Sequence, residues 1–168
     1  MCRFLLLLVL VTLAGCATDP PADPEPAAEP VPAADPAPAV LTLSDAFAPA
    51  APEDGTSAVF VEIGGGAEAD TLVGARFDGA AQVEVHETYD AGEGLRGMRQ
   101  VEGGIPVPAG EGVSLRPGGF HVMLIGLAAP LAAGDTLDVA LDFARAGAQP
   151  LRVPVRALAD FPTEAPSD

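Results

Sequence analysis

Short runs of alternating apolar and polar residues follow one another along most of the chain after residue 57. A period of two is the pattern of a β-strand that is buried on one face. Glycine- and proline-containing segments of the kind that form turns separate the runs. No window of twelve residues carries a helical stripe, so we expect an all-β domain, an antiparallel Greek-key β-sandwich or small barrel. The predicted strands are 58–63, 70–77, 82–88, 95–101, 113–115, 120–125, 136–143 and 151–155.

The strand at 82–88 shows the alternation most clearly. Val83 and Val85 are predicted to lie on one face, and Glu84 and His86 on the other. The valine face suits a core. The opposite face would therefore present a carboxylate and an imidazole outside that core.

The segment GGFHVMLIGL, residues 118–127, reads as a buried strand that nevertheless contains a histidine and a methionine. Residues two apart on a strand project from the same face, so His121 and Met123 would present an imidazole and a thioether side by side. Val122 and Leu124 would point to the other face, into the core. The strand therefore carries two candidate ligands on one surface.

Composition narrows the function classes. The chain of 168 residues has a net charge of −16, with eight arginines and no lysine, and is rich in glycine (19) and proline (18). High glycine and proline suit a loop-rich β domain. The negative charge opposes binding to nucleic acid, because basic residues supply most of the affinity for phosphate backbones.

The N-terminus is predicted to be a targeting segment. Residues 1–15 hold an apolar run that is too short to span a bilayer and has the form of a signal peptide. The ending Leu-Ala-Gly-Cys resembles a bacterial lipobox, in which Cys16 receives the lipid and becomes the first mature residue. The alternative is an ordinary secretory signal with a chance cysteine. Ala17 follows the cysteine, which by resemblance to lipoprotein sorting favours the outer membrane.

Three further segments complete the predicted organisation. Residues 16–39 hold the lipidated cysteine and a linker with eight prolines, five acids and no base, which favours extended polyproline II. Such a spacer could hold a domain about 70 Å from a lipid surface. The folded domain is placed at 40–158, and 159–168 is predicted to be a flexible tail.

The candidate chemistry lies in four residues. Once Met1 leaves with the signal, the only histidines and methionines of the chain are His86, Met98, His121 and Met123. Imidazole and neutral thioether donors together suit soft Cu(I). Mg²⁺ and Ca²⁺ prefer several oxygens, zinc gains little from thioether, and a blue-copper centre needs a cysteine that the domain lacks. The alternative is structural, since Met123 alone would usually be core filler and His86 alone a solvated or hydrogen-bonded residue.

The segment 83–127 resembles the PCu(A)C family of periplasmic copper chaperones. Its members carry a histidine, a methionine about a dozen residues later, and a distal His-x-Met in the phrase PGG-aromatic-H-x-M-L-x-G-L. Those positions here are His86, Met98, His121 and Met123, and the phrase is residues 117–127. The resemblance covers about residues 40–157. It implies a cupredoxin-like fold and one Cu(I) ion held by the four side chains; the tail has no methionine or histidine for a second.

The resemblance also implies partners and a location. Copper would be delivered to the dinuclear copper centre of a haem–copper oxidase, through the cytochrome c oxidase copper subunit, alongside Sco-type thioredoxin-fold proteins. The protein would face the periplasm as a membrane-anchored lipoprotein of the cell envelope. No nucleophile–base pair of the G-x-S-x-G type occurs, so we expect no enzymatic activity. The competing hypothesis is a metal-free interaction or adhesion module on an acidic stalk.

Overall fold

The computed structural model describes residues 40–161, which fold as ten β-strands and one short 3-10 helix. The predicted signal peptide, Cys16 with its linker to residue 39, and residues 162–168 of the predicted tail lie outside the described range. Within residues 40–161 no helix has the length and apolarity to cross a bilayer. The strands are β1 Thr42–Pro49, β2 Thr56–Gly64, β3 Asp70–Arg76, β4 Ala80–Gly92, β5 Leu95–Gln100, β6 Ile105–Val107, β7 Gly112–Leu115, β8 Phe120–Leu127, β9 Thr136–Phe143 and β10 Gly147–Arg156, with the 3-10 helix at Leu158–Asp160.

The strands pair in the order β5-β4-β8-β7-β2-β1-β10-β9-β3-β6, with a further pairing of β8 and β2. One hydrophobic core takes side chains from both halves of this order, including Val59, Val122 and Leu124 from the first half and Leu141 and Val153 from the second. A sheet whose two halves share one core is folded over on itself, as in a sandwich. The all-β prediction is therefore confirmed.

All eight predicted strands are present, and two strands were missed. In β1 the alternation is broken, because Asp45 has a positive φ of 52° and the register with β2 shifts between Ser44 and Phe47. β6 is only three residues long and contains a proline, so its alternation is too short to mark a strand. Pro106 is tolerated there because β6 lies at the edge of the sheet.

Two strand pairings are parallel within the otherwise antiparallel sheet. β1 pairs with β10 in parallel through Ala48 and Pro49, and β7 pairs with β8 in parallel at a single position. The first of these pairings joins the two halves of the fold. All other strand pairs are antiparallel.

The β4–β5 hairpin is longer than the sequence indicated. β4 was expected to end at residue 88 but continues to Gly92, and a tight turn with positive φ at residues 92–94 leads into β5. Since β8 begins opposite Glu87, the outer part of the hairpin extends beyond its neighbour. His86 therefore lies in the middle of a strand, and not near its end as predicted.

Candidate functional site

Strand register brings the four predicted ligands onto one face of the sheet. His86 on β4 lies directly opposite His121 on β8. Met123, two residues along β8, lies opposite Ala58 on β2. Met98 on β5 lies opposite Thr88, which is two residues from His86 on the same face of β4.

Three of the four side chains line one concave cavity of about 480 Å³. Met98, His121 and Met123 contribute to its wall, together with Thr88, and His86 does not. The ring of His86 lies beside that of His121, with 5.9 Å between the ring centroids and an angle of 60° between the planes. The remaining lining residues are Pro49, Ala50, Ala51, Pro52, Thr56, Ser57, Ala58, Phe60, Pro117, Gly118 and Leu158.

The imidazole of His121 is buried, with 4% of the residue exposed. Its Nδ1 lies 3.0 Å from the carbonyl oxygen of Gly119. A carbonyl oxygen only accepts hydrogen bonds, so Nδ1 carries the proton and donates it. In the neutral ring the lone pair is consequently on Nε2.

The imidazole of His86 is held the other way round. Its Nε2 lies 2.7 Å from Oε2 of Glu84, and the side chain of His86 is 14% exposed. An ionised carboxylate only accepts, so Nε2–H is the donor and the lone pair of the neutral ring is on Nδ1. The two histidines therefore expose different ring nitrogens.

Those two nitrogens are without a protein partner. Among the side-chain nitrogen and oxygen atoms of residues 40–161, His86 Nδ1 and His121 Nε2 are the ones that are buried and lack a hydrogen bond. Buried polar atoms are nearly always satisfied in folded proteins, because leaving one unpaired costs about 1–3 kcal/mol. Two such atoms on neighbouring rings indicate a site for a ligand that both can bind.

Electrostatics keep His121 neutral. Burial lowers the pKa of its imidazole from the ordinary value of 6.5, and the nearby His86 lowers it further, against an opposing contribution from the Gly119 hydrogen bond. A ring with a lowered pKa keeps its Nε2 lone pair at neutral pH. This is the protonation state that a metal ligand needs.

The donor set restricts the metal. Within residues 40–161 no group of three or more histidine, cysteine, aspartate or glutamate side chains could hold an ion. The soft donor atoms on the same sheet face are the thioether sulfurs of Met98 and Met123. Imidazole and thioether fit soft Cu(I) and exclude the oxygen-rich shells of Mg²⁺ and Ca²⁺.

The two methionines differ in accessibility. Met123 is half-buried on β8, whereas Met98 is 60% exposed on β5, which is one of the two edge strands of the described sheet. At this exposure the sulfur of Met98 can be reached from solvent. Met98 is thus placed to contact a ligand or a partner from the solvent side.

Sequence reasoning missed several neighbours of the site. The alternation placed Glu84 on the face of His86 but gave no sign that the two bond to each other. The Gly119 carbonyl is a backbone group and leaves no signal in side-chain patterns. Phe60, whose ring centroid lies 6.3 Å from that of His121, reads in the sequence as an ordinary core residue of β2.

Sequence comparison gives two matches. The family model described as "Putative lipoprotein LpqE-like" matches residues 41–155. A protein of Leifsonia xyli subsp. xyli (strain CTCB07), named "Putative lipoprotein Lxx21020", is 36% identical over 149 residues, which is 88% of this chain and 84% of that protein. Both names describe lipoproteins.

Structure comparison finds the same fold in solved PCuAC domains. The copper-bound PCuAC domain from PmoF2 has a TM-score of 0.57 at 21% identity, and the match covers 70% of this chain and 92% of that domain. The apo PCuAC domain from PmoF1 also gives 0.57 at 21% identity, covering 70% and 93%. The predicted cupredoxin-like architecture is confirmed by these matches.

Proposed function

The chain belongs to the LpqE-like lipoprotein family, and from this premise we propose that it is a Cu(I)-binding carrier protein of the cell envelope. The ligands are His86, Met98, His121 and Met123, and they hold one ion. The protein binds and passes on the metal without catalysing a reaction.

The observation that carries the proposal is the pair of unpartnered nitrogens. His86 Nδ1 and His121 Nε2 are both buried, and their rings lie 5.9 Å apart between centroids. Two thioether side chains share the same sheet face. A soft monovalent ion is the ligand that satisfies both donor types.

Additional support comes from the fold. One of the solved domains with this fold is named as copper-bound. At 21% identity that likeness supports the architecture, and the donor atoms of this chain support the metal. The motif 117–127 supplies the specific link, because it holds both ligands of β8.

The donor set suits transport better than electron transfer. A blue-copper centre draws its character from a cysteine thiolate, and Cys2 and Cys16 both lie far from the domain in sequence. Thioethers do not form disulfides, so the ligands stay available in an oxidising compartment. Met98 stands partly in solvent, where an incoming donor can replace it first.

The recipient is proposed from the resemblance to copper chaperones. It is the dinuclear copper centre of a haem–copper oxidase, reached through the cytochrome c oxidase copper subunit, with Sco-type thioredoxin-fold proteins as fellow carriers. The location follows from the lipobox: lipid on Cys16 anchors the protein, and the acidic proline-rich linker spaces the domain from the membrane surface, facing the periplasm.

Competition titration tests the proposal. Domain 40–161 is titrated with Cu(I) against a chromogenic Cu(I) chelator, and one ion per domain is expected. Met98→Leu and Met123→Leu keep volume and hydrophobicity, at a cost below about 1.5 kcal/mol in stability, but remove the sulfur. Each substitution should lower the affinity for Cu(I) at least about tenfold. Loss of a residue that only supports a ligand already costs about 10- to 100-fold, and loss of a ligand should cost no less.

Leu158→Ala is the matched control. Leu158 lines the same cavity and is 68% exposed, but it offers no donor atom. Its replacement should leave the affinity unchanged. Wild-type affinity in the Met98→Leu, Met123→Leu double variant would refute the proposed site.

A further inference from the structure

Glu84 contacts the first histidine in a way that the four-ligand set does not explain. Its Oε2 lies 2.7 Å from His86 Nε2, and the two side chains are 29% and 14% exposed. The residues are two apart on β4 and so share a face. Glu84 also lies opposite Met123 in the pairing of β4 with β8, so its side chain is next to a second proposed ligand on the same face.

The contact decides which nitrogen is free. A neutral imidazole has one donor and one acceptor nitrogen, and either could face a metal. With Nε2–H bonded to Glu84, the acceptor is Nδ1, which is the atom that is buried without a partner. A ring released from Glu84 could turn about its Cβ–Cγ bond and present Nε2 instead.

We propose that Glu84 is a positioning residue, whose carboxylate holds His86 so that Nδ1 and not Nε2 binds the metal. This inference rests on the proposed function. It assigns a mixed coordination, through Nδ1 of His86 and Nε2 of His121. Carboxylate–histidine–metal arrangements orient the ring and make the imidazole a better donor.

Its position on β4 distinguishes Glu84 from the other glutamate near it, Glu87. Glu87 lies three residues along β4 on the opposite face, where its Oε1 accepts from Arg99 Nε at 2.7 Å. The two glutamates share a strand, a charge and similar exposure. Only Glu84 reaches the site, so Glu87→Ala is a matched control for Glu84→Ala.

Nitrogen-15 NMR of the metal-free domain tests the contact itself. In the wild type, His86 should show a protonated Nε2 and an unprotonated Nδ1, and His121 the reverse. In Glu84→Ala the His86 Nε2–H signal should lose its hydrogen-bonded shift and exchange faster with water, while His121 stays unchanged. Glu84→Gln keeps an acceptor oxygen and should retain the signal.

The same samples are then loaded with Cu(I). In the wild type and in Glu87→Ala, loading should shift His86 Nδ1 and His121 Nε2. Glu84→Ala should bind Cu(I) about 10- to 100-fold more weakly, with His86 Nε2 shifting in part of the population. Glu84→Gln should lose less than Glu84→Ala.

The outcomes separate the two ideas. Absence of Cu(I) binding by the wild type removes the proposed function, whatever the spectra of the free protein show. Normal binding with His86 Nδ1 still shifted in Glu84→Ala overturns the positioning role alone. Equal weakening in Glu84→Gln and Glu84→Ala also overturns it, because charge and not the hydrogen bond would then be the cause.

Discussion

His86 and His121 are directly opposed across β4 and β8, and their rings are fixed through opposite nitrogens. His86 donates from Nε2 to a side-chain carboxylate, whereas His121 donates from Nδ1 to a backbone carbonyl. One pair of strands therefore supplies three of the four proposed ligands, because β8 also carries Met123. The fourth, Met98, comes from the flanking strand β5.

The pH titration of His121 should reflect its burial. Because the pKa of His121 is lowered from 6.5 mainly by burial and also by His86, NMR titration of the metal-free domain should give a midpoint below 6.5. His86→Gln should raise that midpoint while leaving it below 6.5. A wild-type midpoint at or above 6.5 would contradict the burial.

The stability of the folded domain should also depend on the protonation of His121. The unfolded chain takes up a proton on His121 at a higher pH than the folded chain does, so the folded state is disfavoured as the solution becomes acidic. The stability that the neutral His121 ring contributes is fully present above the pKa of the unfolded state, about 6.5. It is lost as the pH falls through the pKa of the folded state. Urea midpoints measured from pH 7.5 to 5 should decline, and less so in His121→Gln.

Metal should stabilise the domain selectively. An ion that binds only the folded state, at a free concentration 100 times its dissociation constant, adds about 2.7 kcal/mol to the free energy of unfolding. Cu(I), and Ag(I) as a second soft monovalent ion, should raise the melting temperature, whereas Mg²⁺ and Ca²⁺ should not. A melting temperature indifferent to Cu(I) would favour the metal-free adhesion module.

Asp70 should be the carboxylate whose loss costs the fold most. It is 9% exposed and accepts from the backbone N–H of Thr71, Arg145 and Ala146 at 2.7, 2.9 and 2.9 Å. Burial alone would raise its pKa, but these hydrogen bonds and the charge of Arg145 bring the pKa below 3.8. Asp70→Asn should cost about 1.5–3 kcal/mol, the value of a hydrogen bond to a charged group.

The control for Asp70 lies on β9. The side chain of Asp138 is 88% exposed, and its Oδ1 lies 3.7 Å from Nε of Arg152. Asp138→Asn should therefore change the unfolding free energy very little. The stability from Asp70 is present above its unfolded pKa of about 3.9 and lost as the pH falls through the lower folded value. Chemical denaturation of both variants at pH 7 and pH 3 measures the difference, which should shrink at pH 3.

Membrane attachment should depend on one cysteine. Cys16→Ser in the full chain should move the protein from the membrane to the soluble fraction, because the predicted lipid is attached there. Cys2→Ser changes the other cysteine, within the predicted signal peptide, and should leave the protein in the membrane fraction. Release by both substitutions, or by neither, would argue against the lipobox.

The sequence predicted the strands that obey alternation and failed where backbone geometry breaks it. β9 was placed at its observed bounds because Leu137, Val139 and Leu141 recur at every second position. β1 escaped notice because the left-handed Asp45 and the register shift interrupt its pattern. Parallel pairing of β1 with β10 depends on how the sheet folds over, which local patterns do not encode.

The residue types of the proposed site stand out in the sequence, but the orientation of their side chains does not. The shortage of histidine and methionine elsewhere singled out the four residues, and the two-residue spacing put His121 and Met123 on one face. Register then decided which residues meet, and no single strand contains that information. The role of Glu84 and the tautomers of the two rings depend on contacts of 2.7 and 3.0 Å that only the assembled sheet provides.

The carbonyl of Gly119 accepts two hydrogen bonds, one from His121 Nδ1 and one from the backbone N–H of Thr88, each at 3.0 Å. Thr88 lies where the β4–β5 hairpin begins to extend past β8, and the same hairpin carries Met98. A partner that moved this hairpin would disturb the hydrogen bond that orients the His121 ring and would also displace the Met98 thioether. One peptide oxygen thus links the orientation of the His121 ring to the position of the hairpin that carries Met98.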